Sequence, residues 1–119
     1  MILEDGCRLG AGCRIEARGG TVRIGPGARV GERAVLVAHA GIDVGARAVI
    51  GDWAALTDAE PTFDDPESPT RLQPLRTAPI RIGDDARVGP HAAILAGGTV
   101  PAGGEVAPYA VLTDRVSSA

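Results

Sequence analysis

One regularity governs what this 119-residue chain can become: an aliphatic residue returns every six positions. It does so in Leu3, Leu9 and Ile15, in Ile24, Val30 and Leu36, and in Val44, Ile50 and Leu56. The same spacing holds in Ile82, Val88 and Ile94, and in Val100, Val106 and Leu112. Glycine follows many of them, as in Ile24-Gly25, Val30-Gly31, Val44-Gly45, Ile50-Gly51, Ile82-Gly83 and Val88-Gly89. The residue two before each is apolar and mostly small, as at Cys7, Cys13, Ala28, Ala34, Ala48, Ala54, Ala86 and Ala92. Residues i and i−2 of a strand share a face. Each hexapeptide therefore points one large and one small residue inward and then turns a corner, where glycine serves for positive φ or for close approach. Three units close a triangular coil, and the five triplets predict five coils. At ~4.8 Å per coil they would stack into a prism roughly 24 Å tall.

Composition agrees with a narrow core of small aliphatics. The aromatic residues are Trp53, Phe63 and Tyr109, where an ordinary core of this size uses several large rings. A β-sandwich with chance spacing is the competing reading, and fifteen positions in phase argue against it. Cys7 and Cys13 read as small buried residues rather than as a disulfide or a metal pair. The formal charge of −3 and the lack of a long basic run argue against nucleic acid. No apolar stretch approaches the roughly 18 residues of a membrane span. Residues 1–5 lack the layout of a signal peptide, so a cytoplasmic location is expected.

The repeat breaks only between triplets. Ile15 to Ile24 is nine residues, Leu36 to Val44 is eight, and Leu56 to Ile82 is 26. All insertions thus fall at one corner of the prism, where loops carried by a rigid scaffold tend to hold function. The longest, residues 57–81, is acidic first and basic later and contains five prolines (Pro61, Pro66, Pro69, Pro74 and Pro79), which predicts an extended loop rather than a helix. A loop of that length in a compact domain suggests function, including packing on a neighbouring subunit.

The (I/L/V)-G-x-x-x-x repeats resemble those of the hexapeptide-repeat acyltransferases, and among them the galactoside/maltose O-acetyltransferase group. Phe63–Pro66 with Gln73–Asp84 is similar to that group's loop-and-return segment, Gly89–Gly97 to its I-G-x-x-A-V-I-L-P-G coil, and Val111–Thr113 to its terminal I-V-T. The resemblance implies an all-β, left-handed parallel β-helix of about five triangular coils, forming a single domain over 1–119 with its excursion at 57–81. It further implies a homotrimer, with acetyl-CoA as co-substrate and a small hydroxylated or amino acceptor meeting between subunits. Pro90, Gly97, Gly98 and Pro108 would line the cofactor, and Arg115 would approach its phosphates.

The family's general base is a histidine in a D-H-x-H-like stretch of the long loop. Here that stretch reads Asp58-Ala59-Glu60-Pro61, and the excursion has no histidine. His39 follows Leu36 by three residues, as Ala59 follows Leu56, so the repeat sets His39 one coil from the start of the excursion. Histidine titrates near neutrality. His39 is therefore the candidate base, with Asp58 or Glu60 orienting its ring; capping or packing at that corner is the structural alternative. His91 reads as an interface or solvent-facing residue, and Trp53 as packing on the loop or a neighbour. Asp64 and Asp65 read as a solvated turn, and Arg71, Arg76 and Arg81 as phosphate contacts or salt bridges. Zinc chemistry of the γ-carbonic anhydrase type needs three histidines, and this chain has two. Alongside acyl transfer stands a non-catalytic scaffold or ligand-binding module, since the loop histidine is absent.

Overall fold

A computed structural model describes residues 1–61 and 75–112. Strands are numbered in chain order. The first face of the prism is built from β1 (Ile2–Leu3), β4 (Thr21–Ile24), β7 (Gly41–Val44), β12 (Ile80–Ile82) and β15 (Thr99–Val100). On the second lie β2 (Arg8–Leu9), β5 (Arg29–Val30), β8 (Val49–Ile50), β13 (Arg87–Val88) and β16 (Glu105–Val106). The third carries β3 (Arg14–Ala17), β6 (Val35–Ala38), β9 (Ala55–Thr57), β14 (Ala93–Ile94) and β17 (Val111–Leu112). Every pairing within these faces is parallel, and each joins a hexapeptide to its counterpart one coil on, as Leu9 to Val30 and Ile15 to Leu36. The result is an all-β solenoid of five coils, consistent with the left-handed β-helix implied by the resemblance.

The core follows the sixfold register. Ile24, Leu36, Val44, Ile50, Leu56 and Ile94 are fully buried, and so are Ala28, Ala34, Ala48, Ala54 and Ala86 beside them. Each buried branched side chain contributes roughly 1.5–3 kcal/mol relative to exposure. Leu3 and Leu9, at 46% and 42% exposure, and the partly buried Ile15 are the exceptions among the inward aliphatics. A coil at the end of a stack has a neighbour on one side only, and periodicity carries no mark of that. Cys7 and Cys13 are free thiols, partly buried against the core.

Of the two uses of glycine after the aliphatic residue, close approach is the one realised. A Cβ on Gly51 would stand 2.6 Å from the Pro90 nitrogen of the next coil. Positive φ instead falls two residues later in each turn, and non-glycine residues adopt it there: Arg33, Arg47, Trp53, Asp85, His91 and Tyr109, at φ 57–64°.

The excursion differs from the extended loop expected over 57–81. Thr57 still belongs to β9, and the two ends zip together as an antiparallel ribbon, β10 (Ala59–Pro61) with β11 (Leu75–Thr77). A segment that leaves and returns at one corner brings its own ends together, and pairing satisfies their backbone groups. Asp64, Asp65, Arg71 and Arg115 lie outside the described residues.

The three outer faces differ in chemistry. Along the first, Arg23, Asp43, Arg81 and Thr99 stand in register. The second carries Arg8, Arg29, Val49, Arg87 and Glu105. Beyond the first coil the third shows Val35, Ala55, Ala93 and Val111, a row of small uncharged residues.

Candidate functional site

The corner between the third and first faces receives every insertion, and here the chain buries a carboxylate. Asp58 is fully buried. Its Oδ1 accepts the His39 N–H at 2.5 Å, and its Oδ2 accepts those of Ala40 and Gly41 at 2.7 and 2.6 Å. A buried charge is costly unless donors surround it. Three successive N–H groups of the preceding coil's turn form such a cradle. Asp58 thus clamps the two-residue insertion at 39–40, and its own backbone continues the link: its carbonyl accepts the Ala78 N–H at 3.1 Å, and the Ala78 carbonyl accepts that of Gly97 at 3.0 Å. Residues from three coils meet at this corner.

His39 lies directly over the clamp. Its Nδ1 stands 3.6 Å from Asp58 Oδ1, too long for a hydrogen bond. That nitrogen is buried and is the one such side-chain atom among the described residues without a partner. The ring as a whole is 25% exposed. The repeat's prediction that His39 sits beside the start of the excursion therefore matches the geometry, with Asp58 as the neighbour. Of Glu60 only the backbone is described. Asp58 does more than the sequence implied: it holds the turn itself, a role recorded in the sequence only by an aspartate two residues past an inward leucine.

The predicted cofactor positions divide between two corners. Gly97 and Gly98 share the His39 corner, whereas Pro90 and Pro108 stand on the corner between the second and third faces, across the row of Ala55 and Ala93. The prolines fit their turns. The equivalent nitrogen two coils earlier, Glu32 N–H, needs the Asp52 carboxylate as acceptor at 2.8 Å, and proline removes that demand. The Pro90 carbonyl accepts the Tyr109 N–H at 3.1 Å.

That second corner holds a feature the sequence reading did not assemble. Trp53 and His91 stack with centroids 6.1 Å apart and planes within 2°, and His91 and Tyr109 with centroids 4.9 Å apart and planes within 3°. Arg33 lies over the outer side of Trp53 at 5.4 Å. All four are the third residue after the inward aliphatic of the second face, the position of positive φ, so aligning the repeats at that position would have found them. His91 is exposed as expected, but as the middle rung of a ladder. Trp53 packs on His91 and Arg33. The two histidines lie at different corners, and among the described residues no group of three metal-ligating side chains stands together.

Solved structures bear on this geometry. A hexapeptide-repeat acetyltransferase of Vibrio cholerae, in complex with acetyl coenzyme A, matches with a TM-score of 0.64 at 21% identity, over 89% of this chain and 65% of that one. The chain has the fold of the hexapeptide-repeat acetyltransferases. An N-acyltransferase from Bacillus cereus, in complex with dTDP-4-amino-4,6-dideoxyglucose and coenzyme A, matches at TM-score 0.52 and 18% identity over 90% of this chain and 75% of that one. In sequence, 102 residues (86% of this chain) are 29% identical to a probable acetyltransferase of Mycobacterium tuberculosis. The match spans 34% of that relative's length. No family model matches the chain. Among the described residues no helix is long and apolar enough to cross a membrane.

Proposed function

We propose that the chain transfers an acyl group, most simply acetyl, from acyl-CoA to a small hydroxylated or amino acceptor, at a site between the subunits of a homotrimer. The observation that carries the reading is the His39–Asp58 corner. Nδ1 faces a fixed carboxylate, so a small rotation of the ring lets Nδ1–H donate to Asp58 and leaves Nε2 to the acceptor. His39 then takes the proton as the acceptor's oxygen or nitrogen attacks the thioester carbonyl. The new C–O or C–N bond forms, the C–S bond breaks, and the proton passes to the departing sulfur. Gly97 and Gly98 are assigned to the reacting end of the cofactor at this corner, and Pro90, Pro108 and Arg115 to the remainder of it. Glu60 is the second acidic residue assigned to the acceptor side.

The third face, uncharged beyond its first coil, supports the trimer. It lies between the two corners that hold the assigned residues, and burying it brings no unpaired charge into an interface. The acetyltransferase resemblance in sequence, with fold neighbours holding acetyl coenzyme A or coenzyme A, supports the co-substrate. A second reading, the non-catalytic scaffold or ligand-binding module, draws on the clamp itself: an aspartate saturated by backbone donors is explained by turn stability alone.

Calorimetry and an acetylation assay on the purified protein separate the two. Acyl transfer requires acetyl-CoA binding and a loss of about 10²–10⁴ in turnover for His39→Ala, the range of a general base. No heat at millimolar acetyl-CoA sinks the transferase reading, and turnover that survives His39→Ala removes His39 from it.

A further inference from the structure

The two ends of the prism differ. In the fifth coil the inward Val100, Val106 and Leu112 are only 2–7% exposed. In the first, Leu3 and Leu9 stand open, Ile15 is partly buried, and Met1 and Ile2 beside them are exposed. β1, β2 and β3 are also the edge strands of their faces. The N–H groups of Glu4, Arg8, Gly10 and Arg14 donate to carbonyls of the second coil. Successive residues of a strand turn their backbone groups to opposite sides, so those of Leu3, Leu9 and Ile15 point to the open edge. An apolar end bordered by strand edges is a template for another chain. Its rim carries both signs in equal number: Glu4, Asp5 and Glu16 against Arg8, Arg14 and Arg18.

We infer that the first coil pairs end to end with the first coil of a second copy, about a two-fold axis through Ile15. Such an axis reverses strand direction, so β3 meets the partner's β3 antiparallel and β1 meets the partner's β2. Ile15 and the partner's Ile15 then exchange N–H···O=C bonds across their open edges. Leu3 comes opposite the partner's Leu9, because β1 and β2 lie on the faces to either side of the third. The outward charges fall opposite their counterparts: Arg14 faces the partner's Glu16, and Glu4 faces the partner's Arg8, each twice by symmetry. Moving the axis to Arg14 or Glu16 would set that residue against its own copy, so the charges select the register. Stacking on the fifth coil would extend without closing, and the inward row there is already covered. A hexapeptide at ~3.3 Å per residue gives a side of at most ~20 Å, so one triangular end covers under about 200 Å². A standard interface takes about 800 Å² per partner. A single pair of ends therefore associates weakly. The pairing does not need the proposed trimer, but three ends acting together would strengthen it and close as six chains.

Sedimentation velocity and light scattering of the full chain, from micromolar to millimolar, test this. The mass should rise with concentration to two chains, or to six where the trimer holds, and stop there. Arg8→Glu sets a carboxylate against the partner's Glu4, and Glu4→Arg sets a guanidinium against the partner's Arg8. Each variant alone should therefore show half the mass. Mixed in equal amounts they restore opposite charges across the contact and should regain the full mass. Neither residue belongs to the core or to the third face, so the variants report pairing rather than folding or the trimer contact; circular dichroism checks that. A mass of two chains supports the pairing and removes the trimer, and a mass of six supports both. One chain at millimolar concentration overturns the pairing, and three chains throughout overturn it while leaving the trimer standing. A mass unchanged in Arg8→Glu overturns it, as does a mixture that stays at half mass. Growth without limit, the mark of head-to-tail stacking, also overturns it.

Discussion

Replacing Asp58 by alanine removes the acceptor of three N–H groups at once, those of His39, Ala40 and Gly41. A hydrogen bond to a charged group is worth about 1.5–3 kcal/mol. The turn at 39–41 is only partly buried, so water re-solvates some of the stranded donors, and the expected loss is about 3–5 kcal/mol rather than the full sum. A chain of this length has about 6–18 kcal/mol in total. Urea unfolding followed by circular dichroism, at fixed protein concentration because the proposed association would contribute, should read that loss directly. The melting temperature should fall by about 12–20 °C, at about 4 °C per kcal/mol. Asp58→Asn keeps one carboxyl-type oxygen but turns an NH₂ toward a donor, and should lie between the two. His39→Ala should cost under about 1 kcal/mol, since that ring has no hydrogen bond to lose. The Asp58→Ala loss should persist in the His39→Ala background. A loss below about 1 kcal/mol, or one that vanishes when His39 is absent, refutes the clamp and makes Asp58 a partner of the histidine alone.

Other outcomes follow from the same geometry. Gly51→Ala drives a methyl to 2.6 Å from the Pro90 nitrogen and should destabilise by about 2–3 kcal/mol. Gly103→Ala meets no atom within 4 Å and should lose only about 1 kcal/mol, from its positive φ; equal losses in urea unfolding would contradict the assignment of the turn glycines to close approach. The hydrogen bond from Arg47 at 2.9 Å, opposed by desolvation and aided by the guanidinium charge, holds the Asp85 carboxyl below the usual carboxylate range. Its folded value is the lower one, so its stabilisation is present above about pH 4 and is lost as pH falls through the folded value. Arg47→Gln should accordingly flatten the acid limb of the stability curve, and an unaltered limb would count against the pair. Ala55→Glu places a charge on the third face, mid-way along the face proposed for the trimer, and should convert that trimer to monomers by light scattering; an unchanged mass would count against this face as the interface.

How far the sequence could be read follows from what each feature repeats. The inward positions recur at a fixed interval, so Ile24, Ala28, Val30 and Leu36 were legible as core, and the insertions marked the corner where Asp58 and His39 meet. Features that occur once per coil but differ in residue type were not. Arg33, Trp53, His91 and Tyr109 share a position and a backbone conformation, yet no common chemistry announces them until coils are aligned. The same holds at the neighbouring corner, where Arg47 and Asp85 occupy that position and form an ion pair. In a solenoid, residues equivalent in the repeat are in contact whatever their identity, because each lies one strand spacing from the next. Contacts that differ in chemistry from one corner to the next, a cation on a ring at Arg33 and a cation on a carboxylate at Arg47, are therefore fixed by the register as firmly as the core. The Asp58 clamp escapes this rule for a physical reason. It joins residue 58 to the N–H groups of 39–41, positions made inequivalent by the insertions, and it needs the whole turn geometry to exist before the carboxylate can be buried.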